Sequence, residues 1–169
     1  MTDPAAWPAW LAELWTLRLG PLEGFARLAA ALLVGAVIGL DREWRRRPAG
    51  LRTHMLVALA SATFTIIAFE IYAHVQEIDA SDTADPLRLL EAITAGVAFL
   101  AAGTIIREGA DVKGVTTGSA LWLSGALGMA CGQGMYGLAA LATVLALVIL
   151  TLLRGIEQAL GAEKSDPPE

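Results

Sequence analysis

A single cysteine, Cys131, stands in a chain of 169 residues, so no intramolecular disulfide can form and a disulfide-stapled secreted scaffold is excluded. Charge is also scarce. Asp, Glu, Lys and Arg make up 17% of the chain, against about 25% in an ordinary soluble domain. That scarcity excludes a disordered polymer and leaves too little basic surface for a nucleic-acid binder. Histidine occurs only as His54 and His74, with no metal-ligand spacing to each other or to Cys131, which argues against a zinc site. The sequence has no phosphate-binding glycine loop, no nucleophile elbow and no glycosidase-like pair of acids. The expectation is a protein that is not an enzyme and has no resident cofactor.

What is abundant is apolar. Residues of the AVILMFWYC set reach 56%, and the mean hydropathy is +0.58. A core of this size cannot bury that excess, so the surplus must face lipid. Five apolar stretches follow one another: about Phe25 to Leu40, Thr53 to Ala73, Leu87 to Ile106, Val115 to Gln133 and Gly134 to Leu153. About 20 helical residues cross the hydrocarbon layer, so the pattern predicts an all-α fold, a polytopic membrane bundle of five transmembrane helices. Ahead of it, Trp7, Trp10, Leu11 and Leu14 share one helical face, and tryptophan favours the headgroup boundary. Residues 1–22 are therefore expected to be an amphipathic interfacial segment, 23–154 the transmembrane domain and 155–169 a short cytoplasmic tail.

Orientation follows from the basic residues. The stretch Asp41–Arg52 carries Arg42, Arg45, Arg46, Arg47 and Arg52, whereas Gln76–Pro86 carries Glu77, Asp79, Asp82 and Asp85 and no basic residue. With Arg107, Lys113, Arg154 and Lys164 counted, nine basic residues fall on one face, against Arg18, Arg27 and Arg88 on the other. Basic loops stay cytoplasmic, which predicts an external N-terminus and an internal C-terminus in a bacterial inner membrane. Glu70 and Glu91 are set among apolar residues but near the outer helix ends, where an interfacial position is expected.

Close helix contacts are marked by small residues. Gly35-x-x-x-Gly39 marks the first helix. In the fourth, Ala120, Ser124, Gly128 and Gly132 recur every four residues, while Gly118 and Gly125 lie on another line. Internal packing is their first expected role and a subunit interface the second, with a homodimer as the simplest closed assembly.

The densest polar feature is the stretch from Gly39 to His54, with Asp41 and Glu43 at a helix C-terminus where the macrodipole disfavours carboxylates. Arg42, Arg52 or the third loop are the expected partners. That loop supplies Arg107, Glu108, Asp111 and Lys113, and Thr116 or Thr117 could cap the next helix. On this topology Asp41, Glu43, Glu108 and Asp111 share a cytoplasmic mouth with Arg42, Arg52, Thr53, Arg107, Lys113, Thr116 and Thr117. Two readings stand side by side: ion pairing that closes the bundle end, and a site where carboxylates and waters hold Mg2+. A transporter would also need a polar route through the bilayer, for which Thr65, Thr94, Thr104, Ser119 and Ser124 are the only modest candidates.

At these residues the chain resembles the membrane domain of the MgtC/SapB family. The stretches that carry the resemblance are GLDREWRRRPAGLRTHMLVALASATFT (Gly39–Thr65), GVAFLAAGTIIREG (Gly96–Gly109) and VKGVTTGSALWLSGALGMACGQGMY (Val112–Tyr136). The resemblance implies five helices in a bacterial inner membrane and a role in magnesium homeostasis and adaptation to low Mg2+. It also implies virulence-associated control of membrane partners such as the ATP synthase. The residues matching its motifs are Asp41, Arg42, Glu43, Arg52, Thr53, Arg107, Glu108, Lys113, Thr116 and Thr117. The expected function is a non-enzymatic modulator of other membrane proteins. The alternative is an Mg2+ or other cation transporter or channel gated at the charged mouth. The chain departs from the family pattern at Ala98 and Ala101, where glycines are common. It also runs only to Glu169 beyond Leu153, where many members continue into a soluble regulatory domain.

Overall fold

The computed structural model describes residues 18–78 and 85–153. The expected interfacial face of Trp7 to Leu14, the acids Asp79 and Asp82, and the tail 155–169 lie outside them. Five α-helices follow in order: α1 (Pro21–Trp44), α2 (Leu51–Ile78), α3 (Pro86–Ala102), α4 (Val115–Gly132) and α5 (Tyr136–Val148), the last continuing as a π-helical turn, Ile149–Leu153. Two antiparallel strands, β1 (Ile106–Glu108) and β2 (Asp111–Lys113), join α3 to α4.

Local chemistry sets the boundaries. Pro21 opens α1 and Pro86 opens α3, where the missing N–H is no loss. Asp85 caps α3 by accepting from the Leu87 amide at 2.9 Å. α1 ends as Arg46 turns into the left-handed region at φ 52°, while the Arg47 amide donates back to the Arg42 carbonyl at 3.0 Å. The tight turn between α4 and α5 has the same form, with Gly134 at φ 75° and the Met135 amide on the Ala130 carbonyl at 2.8 Å.

The third apolar stretch is not helical to its end. α3 stops at Ala102, where Gly103 caps the helix and the Thr104 hydroxyl donates to the Ala101 carbonyl at 2.7 Å. Ile106 then enters a strand, paired Ile106 with Lys113, Arg107 with Val112 and Glu108 with Asp111. The two-residue turn opens on Gly109 at φ 63°, a conformation that glycine supplies without strain. The fold is thus all-α except for this hairpin, whose strand residues are all exposed.

α4 is the centre of the bundle, in contact with α1, α2, α3 and α5. Its two lines of small residues serve different neighbours. A Cβ added at Gly132 would sit 2.7 Å from the Ala62 carbonyl oxygen, and one at Gly128 would run into the Ala58 backbone, so this line seats α2. A Cβ at Gly118 would sit 2.8 Å from the Ala101 carbonyl oxygen and one at Gly125 equally close to Val97, so that line seats α3. Gly35 and Gly39 bring α1 against the first turns of α2, where added Cβ atoms would lie 2.8 Å from the His54 carbonyl oxygen and 2.7 Å from the Leu51 Cα. The first expected role of these residues, internal packing, is the one the fold uses.

Residue sizes are distributed inside out. The buried set is rich in Ala31, Ala58, Ala62, Ala120, Ala139, Ala146, Ser61, Thr65, Ser124 and Thr143. Large apolar side chains such as Phe25, Leu33, Leu56, Phe64, Leu141 and Leu152 stand on the outside. In water such a surface would drive aggregation. Among the described residues, α1 and α2 are long and apolar enough to cross a membrane, and Leu90–Ala102 and Tyr136–Leu152 are shorter apolar helical segments.

Candidate functional site: the charged end of the bundle

One hydrogen bond defines this end. Arg42, in the last turn of α1 and only 4% exposed, donates from its guanidinium to the Thr117 hydroxyl oxygen at 2.6 Å. The bond ties the end of α1 to the start of α4, so the 45–50 connection, the start of α2 and the hairpin gather at one end. A charge-assisted bond of this kind is about twice as strong as a neutral one, and burial raises what its loss would cost.

The carboxylates are held locally. Asp41, with 11% of its side chain exposed, accepts from Arg45 one helical turn on at 2.7 Å. Its second oxygen, Oδ2, is buried and accepts no hydrogen bond. Glu43 reaches across the connection and accepts from the Leu51 amide at 3.0 Å, capping the first turn of α2. The partners expected from sequence, Arg42, Arg52 or the third loop, are therefore not those of Asp41 and Glu43. The nearest donors win: an arginine at i+4, and an orphan amide at the neighbouring helix start.

The hairpin also holds pairs of its own. Lys113 pairs with Glu108 at 2.9 Å, and Arg107 Nε donates to the Gly109 carbonyl at 3.0 Å. Asp111, Arg52, Thr53 and Thr116 are exposed. Asp41 and Glu43 thus belong to the α1 end, and Glu108 and Asp111 to the hairpin. Among the described residues no three His, Cys, Asp or Glu side chains are grouped so as to hold a metal ion. Neither Thr116 nor Thr117 caps α4. Gly114, at φ 86°, stands at the cap without a side-chain bond, and Thr117 is turned inward to Arg42.

His54 enters the sequence reading only as a histidine without metal-ligand spacing. It is fully buried beneath Gly39, with Nδ1 2.9 Å from the Gly50 carbonyl oxygen and Nε2 without a hydrogen-bond partner. Ser61 was missed altogether, although Ala58, Ser61, Ala62 and Thr65 recur at helical spacing and mark a small, packed face of α2.

The opposite end is clasped by different residues. Arg27 in α1 donates to the Gly132 carbonyl at the end of α4 at 2.7 Å and also pairs with Glu23. Glu70 accepts from the amides of Arg18 and Leu19 at 3.0 and 3.1 Å, an end position as expected. Arg18 pairs with Glu77, and this guanidinium holds the Glu77 carboxyl below its ordinary range. Arg27 and Glu70 are contacts that sequence spacing could not pair, because each partner is remote in the chain.

A model of the MgtC family matches residues 28–159. Among curated relatives, the protein MgtC of Brucella abortus is 41% identical over 135 residues, which is 80% of this chain and 53% of that protein. The protein MgtC of Salmonella typhimurium is 40% identical over 131 residues, 78% of this chain and 52% of the relative. An uncharacterised protein of Synechocystis is 39% identical over 132 residues, with 78% and 53% covered. The chain spans about half the length of these relatives. No solved structure matches it. The matched residues take in the charged end, the glycine contacts and the α4 centre described above, and the chain belongs to the MgtC family.

Proposed function

We propose that this chain is a multi-pass protein of the bacterial inner membrane that serves magnesium homeostasis under low Mg2+ by modulating membrane partners, without catalysing a reaction. The inside-out distribution of residue size supports the membrane setting. α3, with 17 residues, and α4, with 18, reach about 25 to 27 Å at 1.5 Å per residue, near the lower limit for a span. On this reading all five helices cross, the N-terminus is outside, and the arginine-rich end faces the cytoplasm, where it meets anionic lipid and partner proteins.

One observation favours a modulator over a transporter. The five hydroxyls singled out from the sequence as a polar route are each turned back on their own backbone: Thr65 to the Ser61 carbonyl, Thr94 to Leu90, Thr104 to Ala101, Ser119 to Val115 and Ser124 to Ala120. Hydroxyls committed in this way line no polar path. The test pairs flux with growth. Purified protein in liposomes should carry no Mg2+ above protein-free vesicles, while the same protein restores growth of a deletion strain in low Mg2+. Flux that tracks protein content and falls in Thr65→Val would overturn the reading in favour of the transporter.

A further inference from the structure

α3 leaves one flank of the bundle open. It packs against α2 and α4, and half of its exposed positions are small, Ala92, Ala95, Gly96, Ala98 and Ala102, beside the exposed Leu87, Phe99 and Leu100. A Cβ added at Gly96 would meet nothing within 4 Å, so the helix backbone itself is accessible there. Small residues on an outer face forgo contact with lipid tails and suit the close approach of another helix.

Two further observations lie on the same flank. Between α2 and α3 runs a half-open apolar groove of about 240 Å³, lined by Val57, Ser61, Phe64, Gly96 and Val97 among others. Ser61 is 1% exposed, and its hydroxyl has no hydrogen-bond partner. At the opposite end of α3 from the hairpin, Arg88 and Glu91 are both exposed and neither forms an ion pair within the described residues.

We propose that this flank docks a second copy of the chain, α3 against α3, about a two-fold axis along the membrane normal. The inference rests on the membrane reading above. A second copy is the fitting occupant because the face is complementary to itself. It carries both members of its own charge pair, so Arg88 of each copy meets Glu91 of the other. It carries the small residues that both helices need. It also carries one projecting ring, Phe99, 81% exposed, which enters the groove of the facing copy. The small-residue line of α4 cannot serve, because α2 already occupies it.

Cysteine cross-linking in membranes tests this. In a Cys131→Ala background, single cysteines at Ala92, Ala95 and, as a control on the exposed face of α5, Leu141 are oxidised with copper phenanthroline. Ala92→Cys and Ala95→Cys should give a band at twice the 17.7 kDa chain mass, and Leu141→Cys should stay monomeric. Adding Arg88→Glu to Ala95→Cys should lower the dimer yield several-fold, and Arg88→Glu with Glu91→Arg should restore it. With the native cysteine in place, Gly96→Leu should shift the mass on a native gel from dimer to monomer. Equal cross-linking through Leu141, yields unmoved by charge reversal, adducts only of other masses, or a monomer throughout would overturn the interface. A chain recovered in the supernatant after ultracentrifugation would sink the membrane reading itself, which separates the two failures.

Discussion

Thr117→Val removes the hydroxyl that accepts from Arg42 and leaves the side-chain shape nearly intact. The donor is a guanidinium on a residue only 4% exposed, and the bond is 2.6 Å long. A hydrogen bond to a charged group contributes roughly 1.5 to 3 kcal/mol, and water cannot readily replace the lost acceptor at this depth. We expect a loss of about 2 kcal/mol, close to a 30-fold fall in the folding constant. Thr117→Ser keeps the acceptor and should stay within about 0.5 kcal/mol of the parent. Thr116→Val is the control, since its side chain is the same type one position earlier but exposed. The assay is equilibrium unfolding in mixed micelles, with denaturing detergent as the variable and helical circular dichroism as the signal. If Thr117→Val and Thr116→Val unfold together, the Arg42–Thr117 bond does not join α1 to α4 as described.

Two more outcomes follow from the packing and the far end. Gly128→Leu places a side chain where the Ala58 backbone already is, so folded protein should be lost on gel filtration, while Ala126→Leu on the exposed side of the same helix should be tolerated. Glu77 has its carboxyl pKa lowered from 4.5 by Arg18, so the clasp contributes above the unfolded value and is lost as pH falls through the lower, folded one. A spin label at Leu22→Cys in the Cys131→Ala background should therefore gain mobility only below about pH 4.5, and Glu77→Gln should abolish that step. A label whose mobility titrates near neutrality would refute the assignment.

Much of the architecture is legible in the residue order, because helix starts and stops are local events. Pro86 and Gly134 punctuate the apolar runs, and glycine spacing foretells which faces come close. The charged end is also legible as a composition: arginines and acids flank two adjacent helix boundaries. Which of them touch is not. Asp41 and Glu43 invite long-range partners on paper, yet an arginine one turn away and a helix-start amide hold them. Thr116 and Thr117 are equivalent in sequence, and only the rotation of α4 against α1 buries one and exposes the other. Ile105 and Ile106 extend an apolar run that a linear reading continues as helix, whereas Gly103 and the hairpin register redirect the chain.

The sequence by itself determined that most of the chain is helical, where the apolar runs lie and which end collects positive charge, since these depend on residue type and spacing within one turn or one span. Only the tertiary structure decided that α4 is central, that its two small-residue lines serve α2 and α3 separately, and that Ser61 and Arg42 are buried. Those outcomes depend on how helices remote in sequence rotate and approach, and periodicity along one helix carries no information about the azimuth of its neighbour.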